Sequence, residues 1–404
     1  MPRRRELLAG VILVGVGILF ALVMLEVGVR WMHLVPDRFW EPDPVLGARL
    51  IPGTRGWWTQ EDREFVVPVQ INRHGLRDVE RDYAKAPGVF RVLILGDSFV
   101  EAMHVPLDAT FPHVLQQQLN GTASGARIEV MGAGVSGYGT ASELLYFERE
   151  GKRYQPDLVV LAFYPGNDVK NNSPSLEDKL KPAYTTDGAL QKVIGEAPRK
   201  RLHGWRALLA RSAAYHYIRK VLLTRQPHLA DALVRHGLLQ RDVVPSVPQR
   251  DGVPVDYGVY ATAETPEWQE AWEHTERLLG ELQSATAANG ARLAIAIVSS
   301  RDQVYPQWWR EVVDTYPRMQ SNTWDLDGPQ RRIAAWCVQH DVPCVELAPA
   351  FRAAAAHGGE PLHYHHDGHW TVAGHRLAAE VLREFIEQHG LVPTREQGAQ
   401  NEGH

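Results

Sequence analysis

The sequence predicts an α/β protein with a parallel sheet, carried behind one apolar N-terminal helix. Three observations point there. Arg91-Val-Leu-Ile-Leu95, Asp157-Leu-Val-Val-Leu-Ala-Phe163 and Ala291–Val298 contain apolar runs that do not alternate with polar residues, as strands buried on both faces require. Segments of helical spacing separate them, which implies right-handed crossovers. Leu7–Leu25 runs for nineteen residues without a charge or a proline, long enough to span a hydrocarbon core.

Composition narrows the function classes. A chain of 404 residues can hold a large core and two or three domains. Its apolar content of 44% and charged content of 23% are those of a globular protein. The formal net charge is −5, and no basic patch follows the first few residues, which argues against nucleic acid as a partner. Two cysteines exclude a disulfide-rich scaffold. Cys337 and Cys344 could pair outside the cytoplasm, or stand as two buried thiols. The twelve tryptophans mostly serve to pack loops onto the core, and some could line a groove for sugar or lipid.

From the N-terminus, Arg3-Arg-Arg5 should stay on the cytoplasmic side of the apolar run. The run ends Val23-Met-Leu-Glu-Val-Gly-Val-Arg30, without a small-x-small cleavage site. An uncleaved anchor is therefore favoured over a signal peptide. Residues 1–32 form a cytoplasmic tip and membrane anchor on this reading. The rest lies outside the cytoplasm, in the periplasm of a Gram-negative source. Residues 33–90 read as a neck and lead-in layer, with an edge strand at Val66–Ile71 and a turn at Asn72–Asp78.

The main domain spans 91–390. After the first strand come a helix over Thr110–Leu119, a strand over Arg127–Met131 and a glycine-rich loop over Gly132–Thr140. A helix over Ala141–Gly151 leads to the strand that ends at Phe163. Residues 170–265 break the rhythm and read as an insertion, a candidate lid, with an amphipathic helix near Trp205–Leu223. The rhythm resumes with a helix at Pro266–Asn289 and the strand Ala291–Val298. A long loop over 300–327 holds Trp308, Trp309 and Trp324. A helix at Pro329–His340, a strand at Val342–Leu347 and a His-rich loop at His363–Trp370 follow. The closing helix is Thr371–His389, with Thr371 as its cap. Residues 391–404 read as a disordered tail.

The chemistry gathers where strands end. The first strand stops abruptly at Gly96-Asp97-Ser98, which delivers Ser98 past a carboxyl edge, where open α/β sheets bind ligands. A serine hydroxyl needs a general base, and the base needs an orienting group. His369 and Asp367, two residues apart on one loop, are the candidates for base and orienter. Acyl transfer also needs donors aimed at an oxyanion. The backbone N–H groups of Ser98 and Gly137 and the side-chain amide of Asn167 stand at successive strand ends. His363, His365, His366 and His375 lack a Cys or Glu at recognised ligand spacing, so no metal is assigned. They read as solvated loop residues, with His375 packing under the helix start.

This ordered set resembles the SGNH hydrolase (GDSL-type esterase) superfamily. Gly96-Asp-Ser98-Phe99 matches its first block, Val135-Ser-Gly137 its second, Gly166-Asn167-Asp168 its third and Asp367-Gly-His369 its last. The resemblance implies a three-layer α/β/α flavodoxin-like fold over about residues 68–390. It implies Ser98 as nucleophile, Asp367 and His369 as its triad partners, and Ser98, Gly137 and Asn167 as the oxyanion hole. The single residue between Asp367 and His369 is similar to alginate-type polysaccharide O-acetyltransferases, where many relatives have two. Gly132 stands where an asparagine often opens the second block.

The function expected is a serine esterase or O-acyltransferase, with acetyl as the acyl group, acting on an envelope or extracellular polysaccharide. No cofactor is called for. The expected partners are an acylated carbohydrate, the membrane and an envelope acylation machinery. A lipase or thioesterase of the same mechanism is one alternative. A non-catalytic, membrane-tethered partner of an acyltransferase complex is the other.

Overall fold

The structure, a computed structural model, describes residues 2–393 apart from 61–62, 123–126, 178–180, 185–189, 192–208, 210–211, 227–228, 230–231, 234–248 and 251. Contacts divide the chain into two compact units. One comprises Met1–Asp37, Trp57–Val66 and Pro198–Ser246. The other comprises Arg38–Gly56, Val67–Ala197 and Val247–His404, and holds the sheet.

In the first unit, α1 runs from Pro2 to Trp31. Its stretch Ala9–Trp31 is the one described helix long and apolar enough to cross a membrane. Its Glu26 meets a second helix, α6 (Ala213–Arg225). The Glu26 carboxylate accepts the Ser212 hydroxyl at 2.7 Å and the N–H groups of Ala213 and Ala214 at 3.0 and 2.9 Å. A carboxylate thus satisfies the free N–H groups that begin a helix. The amphipathic helix expected at Trp205–Leu223 is observed at Ala213–Arg225, and residues 205–208 lie outside the described residues.

The second unit begins with a hairpin of β1 (Trp40–Asp43) and β2 (Gly47–Leu50). Of two further short strands, β3 (Arg55–Thr59) falls mostly in the first unit and β4 (Val66–Gln70) mostly in this one. The sheet strands are β5 (Val89–Gly96), β6 (Arg127–Gly134), β7 (Leu158–Phe163), β8 (Arg292–Ile297) and β9 (Cys344–Glu346). All pair in parallel. Their spatial order is β6-β5-β7-β8-β9. This is the flavodoxin-like arrangement, with its switch point between the first and third strands of the sheet.

Side chains that alternate along the strands fill two cores. Val92, Ile94, Val130, Val160, Ala294 and Ala296 pack under α3 (Phe111–Thr122) and α12 (Val372–Gln388). Leu93 faces the other way, toward Gly151 and Phe147 at the end of α4 (Thr140–Arg149). On that side α4 packs on α7 (Pro266–Ala288), which also meets β8. The result is the three-layer architecture the sequence predicted.

The loop expected over 300–327 is instead largely helical. It contains α8 (Arg301–Val304), α9 (Pro306–Thr315) and a 3-10 turn at Pro317–Ser321. Ser300 starts α8 with a capping box closed by Gln303. Pro306 begins α9 at a position where its missing N–H costs nothing. Further on lie α10 (Gly328–Gln339) and α11 (Ala348–Ala356). Cys337 and Cys344 are free thiols. The tail from residue 394 lies outside the described residues.

Candidate active site

Ser98 is the first residue of α2 (Ser98–Glu101), one residue beyond the end of β5. The turn is tight because Asp97 and Gly134 both pack on it. Asp97 is fully buried, and its carboxylate accepts the Phe99 N–H at 2.9 Å. Gly134 lies so close that a Cβ there would sit 2.4 Å from the Glu101 nitrogen and 2.5 Å from the Asp97 oxygen. Only a residue without a side chain lets β6 approach the nucleophile's turn this closely. The glycine-rich run seen in the sequence therefore serves this contact as well as the loop after it.

The closing loop returns to the same sheet edge, held by a bridge between His363 and Trp370. It brings His369 Nε2 to 2.7 Å from Ser98 Oγ. His369 Nδ1 lies 2.5 Å from Asp367 Oδ1. The same oxygen also accepts the backbone N–H of His369 at 3.2 Å. Ser98, His369 and Asp367 are thus in one chain of hydrogen bonds, the arrangement an activated serine requires. Gly368 makes the one-residue spacing workable, with φ +87 at the bend.

Electrostatics follow from the contacts. Burial disfavours charge on both partners, yet their hydrogen bond and mutual attraction outweigh it. Asp367 is held below the usual carboxylate range, and His369 above the usual imidazole value. Asp97 is pushed up by burial, against the Phe99 N–H, His369 and Asn167.

Asn167 sits on α5 (Pro165–Asn171), just past β7. Its amide donates to Asp97 Oδ2 at 2.8 Å and lines the cavity beside Ser98. One amide hydrogen is therefore committed, and the second is left for an oxyanion. Asp168 serves its own turn, accepting the Tyr164 N–H at 2.8 Å. Gly137 has φ +77, and its carbonyl accepts from Asn171 Nδ2 at 3.1 Å and from Lys181 Nζ. It is absent from the cavity lining, so the structure does not bring it to Ser98 as it brings Asn167.

The cavity has a volume of about 330 Å³. Its floor is Ser98, Asn167 and His369, and its wall carries Tyr164, Tyr257, Tyr260 and Tyr316 with Asp256, Arg301 and Asp302. Lys170 pairs with Asp256 at this wall. A larger depression of about 840 Å³ lies beside β9 and α12, and none of the triad lines it.

The other histidines divide. His375 is buried, accepts the Phe111 N–H at 3.3 Å, and is driven by burial down to about 3, so it packs under the helix start as expected. His363 departs from expectation. It is buried rather than solvated, with its Nε2 3.4 Å from the Ser299 carbonyl oxygen, and burial lowers it to about 3. His104, which drew no notice in the sequence, lies against the triad. Among the described residues, His104, Asp367 and His369 are the one group of His, Cys, Asp or Glu whose ligand atoms fall within 4.8 Å of one another.

Residues 259–402 match the family described as the SGNH hydrolase-like domain of the acetyltransferase AlgX. The match includes Asp367 and His369, while Ser98 and Asn167 lie before it. No curated protein sequence matches the chain. Among solved structures, a GDSL-like lipase from Bacteroides thetaiotaomicron is 15% identical over 76% of this chain and 93% of that one, with a TM-score of 0.36. A catalytic mutant of Axe2, an acetylxylan esterase from Geobacillus stearothermophilus, is 12% identical over 74% and 94%, with a TM-score of 0.37. Likenesses at these scores decide nothing by themselves.

Proposed function

From the match of residues 259–402 to an SGNH hydrolase-like domain, we propose that the protein is a membrane-anchored serine acyl esterase or O-acetyltransferase acting on envelope or extracellular polysaccharide. The observation that carries the reading is the 2.7 Å contact between Ser98 Oγ and His369 Nε2, backed by Asp367. Ser98 Oγ attacks the acyl carbonyl carbon, and its proton passes to His369 Nε2. The oxyanion meets the Ser98 N–H and the free hydrogen of the Asn167 amide. The ester C–O bond breaks, and His369 returns the proton to the leaving sugar oxygen. Water or a second sugar hydroxyl then gives its proton to His369 and attacks the acyl-enzyme carbonyl; the bond from the acyl carbon to Ser98 Oγ breaks, and His369 returns the proton to Ser98.

The short acyl group and the carbohydrate are supported by the cavity. A volume of about 330 Å³ lined by tyrosines, two aspartates and an arginine suits a hydroxyl-rich ligand rather than a long chain. The apolar span Ala9–Trp31 and the flanking Arg3-Arg-Arg5 support a catalytic unit outside the cytoplasm.

The test is fluorophosphonate labelling of the full-length protein in detergent beside its Ser98→Ala variant, followed by acetate release from acetylated polysaccharide with and without a free acceptor. Labelling that vanishes in the variant, with acetate released or transferred, is the expected result. A folded wild-type protein that never labels would overturn the reading.

A further inference from the structure

We propose that His104 is a positioning residue for the general base, clamping the ring of His369 while sharing its orienting carboxylate. This rests on the reading of Ser98, His369 and Asp367 as a catalytic triad. Three contacts carry it. The His104 ring lies flat on the His369 ring, with centroids 4.0 Å apart and planes 13° from parallel. His104 Nε2 is 3.4 Å from Asp367 Oδ1, the oxygen His369 uses. The His104 carbonyl accepts the Tyr364 hydroxyl at 3.0 Å, which ties it to the loop that carries Asp367.

Local structure explains how His104 gets there. Ala102 ends α2 in the left-handed region at φ +53, so the chain folds back beneath its own nucleophile. His104 is 5% exposed, and its position is fixed on all sides. Phe99 covers His369 as well, with centroids 4.9 Å apart. A base packed against two rings keeps its Nε2 on Ser98 through the proton transfers.

The two contacts have opposite effects. The stack holds the base in place, and a misplacement of about 1 Å costs on the order of a hundredfold in rate. The second donor on Asp367 draws charge from the carboxylate and makes His369 a weaker base. Burial first, then the charge of His369, keeps His104 well below the usual imidazole value, so it stays neutral beside an imidazolium. The groups facing this pair are Asp367, Asp97, Glu101, His363, His375 and Arg77.

Two substitutions separate the contacts in the full-length protein. His104→Phe keeps a flat ring and removes the donor. His104→Asn keeps a donor and removes the ring. Fluorophosphonate labelling rates are read against pH. His104→Phe should move the rising limb to higher pH by about half a unit while holding the plateau within about threefold. His104→Asn should leave the limb in place and lower the plateau by roughly tenfold or more. A limb and plateau unchanged in both variants, or equal losses in both without a shift of the limb, would overturn the proposal. If wild type does not label, the triad reading fails separately. The His369 titration midpoint, read by NMR from ring-labelled histidine and assigned with His369→Gln, then decides. An upward shift in His104→Phe upholds the sharing of Asp367, and no shift overturns the proposal.

Discussion

The indole N–H of Trp40 donates to Glu101 Oε1 at 2.7 Å, joining the β1–β2 hairpin to the helix that begins with Ser98. The other oxygen of Glu101 accepts the hydroxyl of Ser136, next to Gly137. One carboxyl group thus ties the lead-in hairpin, the nucleophile's helix and the second glycine loop together. Burial pushes it up to about 7, against its hydrogen bonds and Arg77.

Glu101 should make stability fall as pH rises. Its folded-state pKa of about 7 exceeds the ordinary value of 4.5, so the folded state binds the extra proton between those limits. The cost of ionising it is absent below about pH 4.5 and fully present above about pH 7, at roughly 3 kcal/mol as an upper bound. Thermal melts of wild type and Glu101→Gln across pH 5 to 8 test this. The wild type should lose ground to the variant as pH rises, and a constant difference would refute it.

Activity should rise with pH through a midpoint above the ordinary imidazole value of 6.5, because His369 must be neutral to take the proton and Asp367 holds it charged. Asp367→Asn should lower kcat by about 10³–10⁴-fold and move the midpoint down. A pH–rate profile with acetate release as readout would show both. A midpoint that stays put in the variant would separate Asp367 from the base.

Asn167→Ala should lower kcat by about 10²–10³-fold with little change in KM, since its free amide hydrogen acts only on the oxyanion. Gly137→Ala places a side chain at φ +77 and strains the loop in any case. Steady-state kinetics of the two, with melts to separate strain from chemistry, tell whether the second glycine loop supplies a donor. An Asn167→Ala effect confined to KM would remove the amide from the oxyanion hole.

Gly134→Ala should unfold or strongly destabilise the sheet unit. Its Cβ would meet the Glu101 nitrogen and the Asp97 oxygen at 2.4 and 2.5 Å, and both are backbone atoms that cannot swing away. Circular dichroism melts should show a loss of more than about 3 kcal/mol. Gly121→Ala, with open space around its Cβ, is the control.

The proposed triad was legible in the sequence because each part sits at the end of a pattern that local residues define. The apolar run before Gly96 fixes where Ser98 emerges, and Gly368 keeps Asp367 and His369 on one bend. The helix at Pro306–Thr315 was missed because its tryptophans suggest loop packing, although Ser300, Gln303 and Pro306 signal helix starts. The tyrosine wall at Tyr257, Tyr260 and Tyr316 could not be read, since these residues reach the cavity only through the tertiary fold. His104 carries no local signal either. It lies 263 and 265 positions from Asp367 and His369, and the left-handed turn at Ala102 brings it back to them.

The bond between Glu26 and Ser212 links residues 186 positions apart. During synthesis the anchor leaves the ribosome long before α6 exists. An unneutralised carboxylate at the end of an apolar span is costly in hydrocarbon. Until Ser212, Ala213 and Ala214 arrive, Glu26 has only Arg30, at 2.7 Å, from its own helix. On the proposed anchor reading, the charge at the end of the span is therefore capped late, when a segment from the middle of the chain reaches it.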